Sequence, residues 1–366
     1  MNRTIRSAAL LAGLMVVFAV AAARGGEGKK SGGTERTKAE VDALVDEQGK
    51  AKPDWFDDTP LNFPKTLDLS WPEPAPGPWN AQRNLGQYIW EVINPNPNRW
   101  KEGIRLIHHV LAVNKGNREV QLRAMNQLGR MYFDLLKDHP RAAFWWRKAG
   151  VEDGERFWSG VQLAECYFRM GNKAMAMKLL GNLQPQFSMI KLLGDMGETE
   201  QAIRFAEANA EGDAADIACL YAGDACRVAG RHKQAMQYYQ RVLKLQAAGR
   251  AQRRIERNQA RARANLEGMQ LFDQLDLSRV PDGTYRASSL GYEDQVHVEV
   301  TVKDGRITDV RVTSHREKQF YSSMIDTPRK IIERQGVTEI DATSSATITS
   351  EAIINGTAKA LSGAMK

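Results

Sequence analysis

The sequence predicts an α-solenoid of tetratricopeptide-like helix pairs followed by a small α+β domain, and three patterns carry that prediction. Residues 81–275 read as short helices punctuated by Gly, Pro or Asn, with small and large apolar residues recurring in one order. Residues 295–302 alternate valine with polar side chains, the period of a strand with one buried face. Residues 341–350, Asp-Ala-Thr-Ser-Ser-Ala-Thr-Ile-Thr-Ser, are a run of small hydroxyl side chains between an apolar strand ending at Ile340 and an amphipathic segment over 352–361. At 366 residues the chain has room for two such domains.

The chain opens Met-Asn-Arg-Thr-Ile-Arg and continues with an apolar run over 8–23 that ends on Ala21-Ala22-Ala23. A basic start, a short apolar core and an Ala-x-Ala site are the parts of a secretory signal peptide. Residues 1–23 are therefore expected to be removed on export to an extracytoplasmic space, periplasmic or secreted. An uncleaved N-terminal anchor is the alternative, although the run is short for a membrane span. Residues 24–80 divide in two. The first part, 24–52, is rich in Gly and charge and predicts a flexible tether. The second, 53–78, mixes prolines with Trp55, Phe56, Phe63 and Trp71, a composition that excludes regular helix and predicts a strap held by its aromatics.

Within 81–275, Leu128, Gly129 and Tyr132 are followed by Ala142 and Trp146. Leu163, Ala164 and Tyr167 are followed by Gly171, Ala176 and Leu180; Ala222, Gly223 and Cys226 by Gly230, Ala235, Tyr239 and Val242. Gly197 with Ala202 and Ala206 marks a shortened unit. The spacing resembles tetratricopeptide repeats, in which small residues let paired helices approach and large ones fill the seam. Solenoids of this kind bind proteins more often than they catalyse. His108 and His109 are adjacent on a helix and point about 100° apart, poor geometry for joint metal ligation. The three cysteines, Cys166, Cys219 and Cys226, fall on apolar helical positions and read as buried thiols. The net charge of +7 is concentrated in Arg253, Arg254, Arg257, Arg261 and Arg263. No aromatics interleave them for base stacking, so a solvated helix and no nucleic-acid partner are expected.

Residues 281–366 form the second domain. Asp282-Gly-Thr-Tyr285 and Gly291-Tyr292 open it. Val296, Val298, Val300 and Val302 alternate with His297, Glu299 and Thr301; Asp304-Gly305 is a hairpin signal; Ile307, Val310 and Val312 supply the return strand. Thr327-Pro328 is expected to start a short helix, Pro being suited to a first turn. In the hydroxyl run that follows, small side chains let backbone amides approach an anion, and a helix N-terminus beyond it points its dipole the same way. By composition alone the run fits either a phosphate loop or a helix-capping loop.

Order and motif together resemble the FMN-binding domain family, which includes flavoprotein subunits of sodium-pumping quinone reductases and Rnf-type electron-transfer complexes. That family carries FMN on the final Thr of an Asp-preceded Ser/Thr-Gly-Ala-Thr core. The corresponding residues here are Asp341, Ser344, Ser345, Ala346 and Thr347, which implies Thr347 as the attachment site through a phosphoester, with Thr349 a second hydroxyl nearby. Ser345 departs from the usual Gly, at a cost if φ is positive. The resemblance also brings Gly291, Tyr292 and the His315-Arg316 segment toward the cofactor; a solvated polar loop is the other reading of that segment. It implies a flavin transferase as modifying partner, using FAD and releasing AMP, and an electron carrier whose repeats dock a redox protein, with association with a membrane complex. Two rivals remain: a scaffold whose C-terminal domain binds FMN loosely, and a flavin-dependent reductase of a small extracytoplasmic substrate. No catalytic residue or metal site is expected in the chain.

Overall fold

Helical structure begins inside the segment expected to be a tether. Thr37 and Glu40 form a reciprocal capping box that starts helix α1 (Lys38–Leu44), which runs on as a π-helical turn over Val45–Gly49. Val41 and Val45 are fully buried. Asp42 pairs with Arg147 at 2.9 Å, and Gly49 lies so close to Pro140 that an added Cβ would meet its carbonyl oxygen at 2.6 Å. Two valines on one helical face outweigh a Gly- and charge-rich composition once a repeat is there to receive them. The computed structural model describes residues 35–365 apart from 73, 74, 76, 154–157 and 318–321. The signal-peptide reading of 1–23, and the tether before residue 35, lie outside the described residues.

The strap lies along the first helices: the Phe56 ring meets His108 at 4.8 Å and Phe63 meets His109 at 5.6 Å. Burial between these aromatics lowers the His108 imidazole to about 4. Helix α2 (Leu85–Tyr88) continues as a π-helical turn over Ile89–Ile93, and α3 is Trp100–Val113. Hairpins follow: α4 (Arg118–Met131, extended by a π-helical turn to Leu136) with α5 (His139–Lys148), α6 (Gly160–Arg169) with α7 (Lys173–Asn182), α8 (Ser188–Asp195) with α9 (Thr199–Glu207), and α10 (Ala215–Val228) with α11 (His232–Lys244). A longer helix, α12 (Gln252–Phe272), closes the series. Within each hairpin the first helix ends on a left-handed residue: Lys137, Gly171, Gly197 and Gly230, spaced 34, 26 and 33 residues apart. The short step falls at α8, the unit that the sequence marks as truncated.

Glycine sets the closeness of the paired helices. A Cβ on Gly129 would stand 2.5 Å from the buried Trp146, and one on Gly223 would stand 2.5 Å from the Tyr239 ring. The three cysteines are free and buried. Among the described residues no helix is long and apolar enough to cross a membrane.

The C-terminal domain is a three-stranded antiparallel sheet with two helices. Strands β1 (Gly283–Leu290), β2 (Gln295–Lys303) and β3 (Arg306–Ser314) pair in sequence order. Val296, Val298, Val300 and Val302 face the core as the alternation requires. Asp304 and Gly305, with φ of 52° and 68°, make the hairpin turn that the strand twist favours. Helix α13 spans Ser323–Arg334 and α14 spans Thr347–Ala364.

Three local readings of the sequence are corrected here. Pro328 lies inside α13 and does not open it: the buried Thr327 and the bond from Thr343 Oγ1 to Asp326 Oδ2 (2.7 Å) hold the earlier turn in helix. Residues 335–340 form no strand; Gln335 and Glu339 turn left-handed there, and Val337 and Ile340 are buried from a loop. Finally, α14 is buried around its whole circumference and is not amphipathic. It lies between β1 and β2 on one side and α12 on the other, with Gly268 giving room to Asn355 and Gly356 giving room to Val298.

Candidate functional site

A cleft of about 780 Å³ opens where the helical repeats meet the hydroxyl run. One wall comes from the first helices of successive hairpins: Gln162 and Glu165 of α6, Lys191 of α8, Tyr221 of α10, and then Arg261 of α12. The other wall is Ser344, Ser345, Ala346 and Thr347 with Ile348 and Thr349, and Tyr292 and Glu317 close one end. Residues 34–366 form one compact unit, so both walls belong to one body.

The hydroxyl run is held by a buried charge network beneath it. Arg169 pairs with Asp341 at 2.6 Å, and Lys330 pairs with the same carboxylate at 3.2 Å. Lys191 Nζ donates to Ser344 Oγ at 3.0 Å and to Asp195 at 2.5 Å; Lys137 Nζ donates to the Ser344 carbonyl at 3.4 Å. Burial alone would raise the Asp341 carboxyl, but Arg169, Lys330 and Lys191 outweigh it and hold it well below the usual carboxylate range. The same balance, dominated by Arg169 and Lys191 against burial, lowers Glu165 to about 2. Burial lowers the Lys137 ammonium and raises the Asp134 carboxyl, which lies under Ser345 with Oδ1 unpartnered.

The sequence-predicted residues separate into two sets. Ser344, Ser345, Ala346, Thr347, Thr349 and Tyr292 all line the cleft. Thr349 is buried with its hydroxyl given to Glu317 Oε2 at 2.5 Å, whereas Thr347 stands half-exposed on the first turn of α14. Ser345 has φ of 66°, the left-handed region in which the usual Gly would be unstrained. Asp341 acts from below, anchoring the loop to Arg169. Gly291 and His315 are not in the lining. Gly291 instead lets Glu317 approach, an added Cβ meeting Glu317 Oε1 at 2.6 Å, and exposed Arg316 faces Asp294.

Sequence reasoning missed Lys191, Glu165, Trp90 and Glu317, which reach the cleft from other elements, and Arg169, which anchors Asp341 from beneath. It also misjudged the arginine run. Arg261 is buried in a bidentate pair with Glu351 (2.7 Å to each oxygen) and bonds Asp224; Arg254 pairs with buried Asp216 at 3.0 Å; Arg257 donates to the Tyr292 hydroxyl at 2.8 Å. The helix is a docking surface for the second domain, and only part of its charge is solvated.

FMN fits this donor set. The N-terminal cap of α14 is Ala346, which offers no side-chain oxygen to the first-turn amides, and the first-turn residues Thr347, Ile348 and Thr349 line the cleft, a helix N-terminus suited to an anion. Lys191 adds a fixed cation beside them. Four carboxylates (Glu91, Glu165, Glu293 and Glu317) also line the cleft. Glu91 accepts from the Trp79 indole N–H, Glu165 pairs with Arg169, and Glu317 accepts from Thr349 and the Glu293 amide. A three-sided pocket of this size with aromatic lining suits a cofactor.

The molecule is therefore a helical-repeat protein carrying a small flavin-binding domain against one face of its repeats. Residues 291–362 match the FMN-binding domain family, which makes FMN the cofactor and this chain an FMN-binding flavoprotein. An uncharacterized protein of Treponema pallidum (strain Nichols) is 35% identical over 85 residues, covering 23% of this chain and 24% of its own length. The chain thus spans about a quarter of that relative. No solved structure matches the chain.

Proposed function

We propose that this chain is an exported electron carrier that holds FMN by a phosphoester to Thr347. The observation that carries the reading is the start of α14: Thr347 stands on the cleft wall at a helix N-terminus whose cap has no side-chain acceptor, beside Lys191. The first-turn amides and Lys191 would hold the phosphate; on a separate flavin transferase the Thr347 hydroxyl would lose its proton as its oxygen bonds the FMN-side phosphorus of FAD, the pyrophosphate P–O bond breaking and AMP leaving. Thr349 is a poorer acceptor because its hydroxyl is buried on Glu317. FMN supplies one- and two-electron redox chemistry when bound. Glu165, Arg169 and Asp341 keep the loop in place and contribute no proton, being charged throughout the neutral range.

Export is supported by the composition of residues 1–23. The first helices of successive hairpins, α6, α8 and α10, already share a cleft with the chain's own hydroxyl run, which disfavours the pure scaffold. A redox partner would approach the open mouth of the cleft, by Trp90 and Tyr292. The test is the intact mass of denatured mature protein, co-expressed with a flavin transferase, beside Thr347→Ala. An FMN adduct present in the wild type and lost in the variant supports covalent carriage; no adduct on the wild type sinks it.

A further inference from the structure

We infer that the helical domain completes the flavin site, with Trp90 as the aromatic surface against the isoalloxazine ring, so that the cofactor is shared between the two domains. The inference rests on the reading that FMN occupies this cleft. Its own support is separate. Trp90 is 46% exposed and Tyr292 is 50% exposed, two of the few large apolar side chains left open among the described residues, and both line this one cleft. Exposed aromatics gathered at a cavity mark a binding surface more than a solvated one.

Their positions are built, not incidental. Tyr292 comes from the β1–β2 connection, yet its hydroxyl takes a hydrogen bond from Arg257 of α12, and the Arg257 guanidinium lies 5.0 Å from its ring centre. Trp90 lies in a π-helical turn in which Ile89 and Ile93 are buried, with buried Tyr88 just before it, so its backbone is pinned while its ring stays open to the cleft. The hydroxyl run provides the phosphate end of the same cavity. A flavin tethered there carries a flat three-ring system away from the phosphate, and a flat aromatic face offset against it is the geometry such rings prefer. A lone FMN-binding domain of this sequence would lack Trp90, Gln162, Lys191 and Tyr221 altogether.

Excited flavin is quenched when an oxidisable Trp or Tyr ring touches it, and that contact is the readout. Full-length protein loaded with FMN is prepared with Tyr221 and Tyr292 both replaced by Phe, leaving Trp90 as the aromatic reporter of the cleft. Flavin emission per bound FMN is measured in the native fold, with FMN content read separately from denatured protein. Trp90→Leu is expected to raise emission several-fold at unchanged FMN content, and Trp90→Tyr to remain quenched. Trp158→Leu, 77% exposed and outside the cleft lining, is expected to change nothing. Emission unaltered in Trp90→Leu, or raised equally by Trp158→Leu, overturns the shared site while leaving FMN carriage intact. Wild-type protein without FMN overturns the underlying reading instead.

Discussion

Ser345 carries the clearest local tension in the chain. An L-residue in the left-handed region costs about 1–2 kcal/mol, and Ser345 sits there at φ 66°. Ser345→Gly is expected to stabilise the fold by about 1 kcal/mol, seen in a melting curve as a rise of roughly 2–4 °C in Tm. A lower Tm would mean that the serine hydroxyl beside Asp134 outweighs the backbone strain. Below Ser345, the ionised carboxylates set an acid limit. Asp326 and Glu165 are held at about 2, and Asp341 is depressed as well. A carboxyl with a depressed folded pKa contributes stability above its unfolded pKa and loses it as pH falls. Buried His108, lowered to about 4, must also charge on acidification, so urea midpoints are expected to begin falling below about pH 6.5 and to drop further between about pH 4.5 and 2. Arg169→Met, which leaves Asp341 and Glu165 short of a partner, should cost about 3–5 kcal/mol at pH 7; a loss below 1 kcal/mol would argue against the network.

At the scale of elements, the repeats depend on two different uses of glycine. Gly197 turns left-handed with nothing near its missing side chain, so Gly197→Ala tests backbone strain alone and should cost about 1–2 kcal/mol. Gly223 is helical and pressed on Tyr239, so Gly223→Ala tests packing and should cost about 1–3 kcal/mol. Denaturant midpoints would separate them further through Tyr239→Phe, since the Tyr239 hydroxyl also donates to Asp224 at 2.8 Å. If Gly223→Ala proved neutral, the tight seam would not be what fixes α10 against α11. The hairpins, the valine strand and the Asp304-Gly305 turn were all legible in the sequence, because each depends on neighbours close in the chain. The start of α13, the loop before Ile340 and the full burial of α14 were not, because contacts distant in sequence decide them.

At the scale of the molecule, the docking of the two domains is the organising fact. Arg261, Asp224, Glu351 and Asn265 form a closed buried cluster between α10, α12 and α14. Arg227 adds a bond to the Ile340 carbonyl at 3.0 Å. The wild type is expected to unfold in one transition by circular dichroism and by tyrosine fluorescence. Arg261→Met should cost about 3–5 kcal/mol, because it strands two buried carboxylates, and should separate the transitions of the two domains. Coincident transitions in that variant would place the coupling elsewhere.

The sequence by itself determined the helix pairs, the β-hairpin, the hydroxyl run with Thr347 and the family of the C-terminal domain, since periodicity, turn chemistry and motif are all short-range. Tertiary structure alone decided that α12 is a docking surface and that Lys191 and Arg169 reach the hydroxyl run. It also decided that Trp90 and Tyr292 share a cleft. The physical reason is that burial and charge pairing depend on which distant faces meet, and that meeting leaves no periodic mark on either segment.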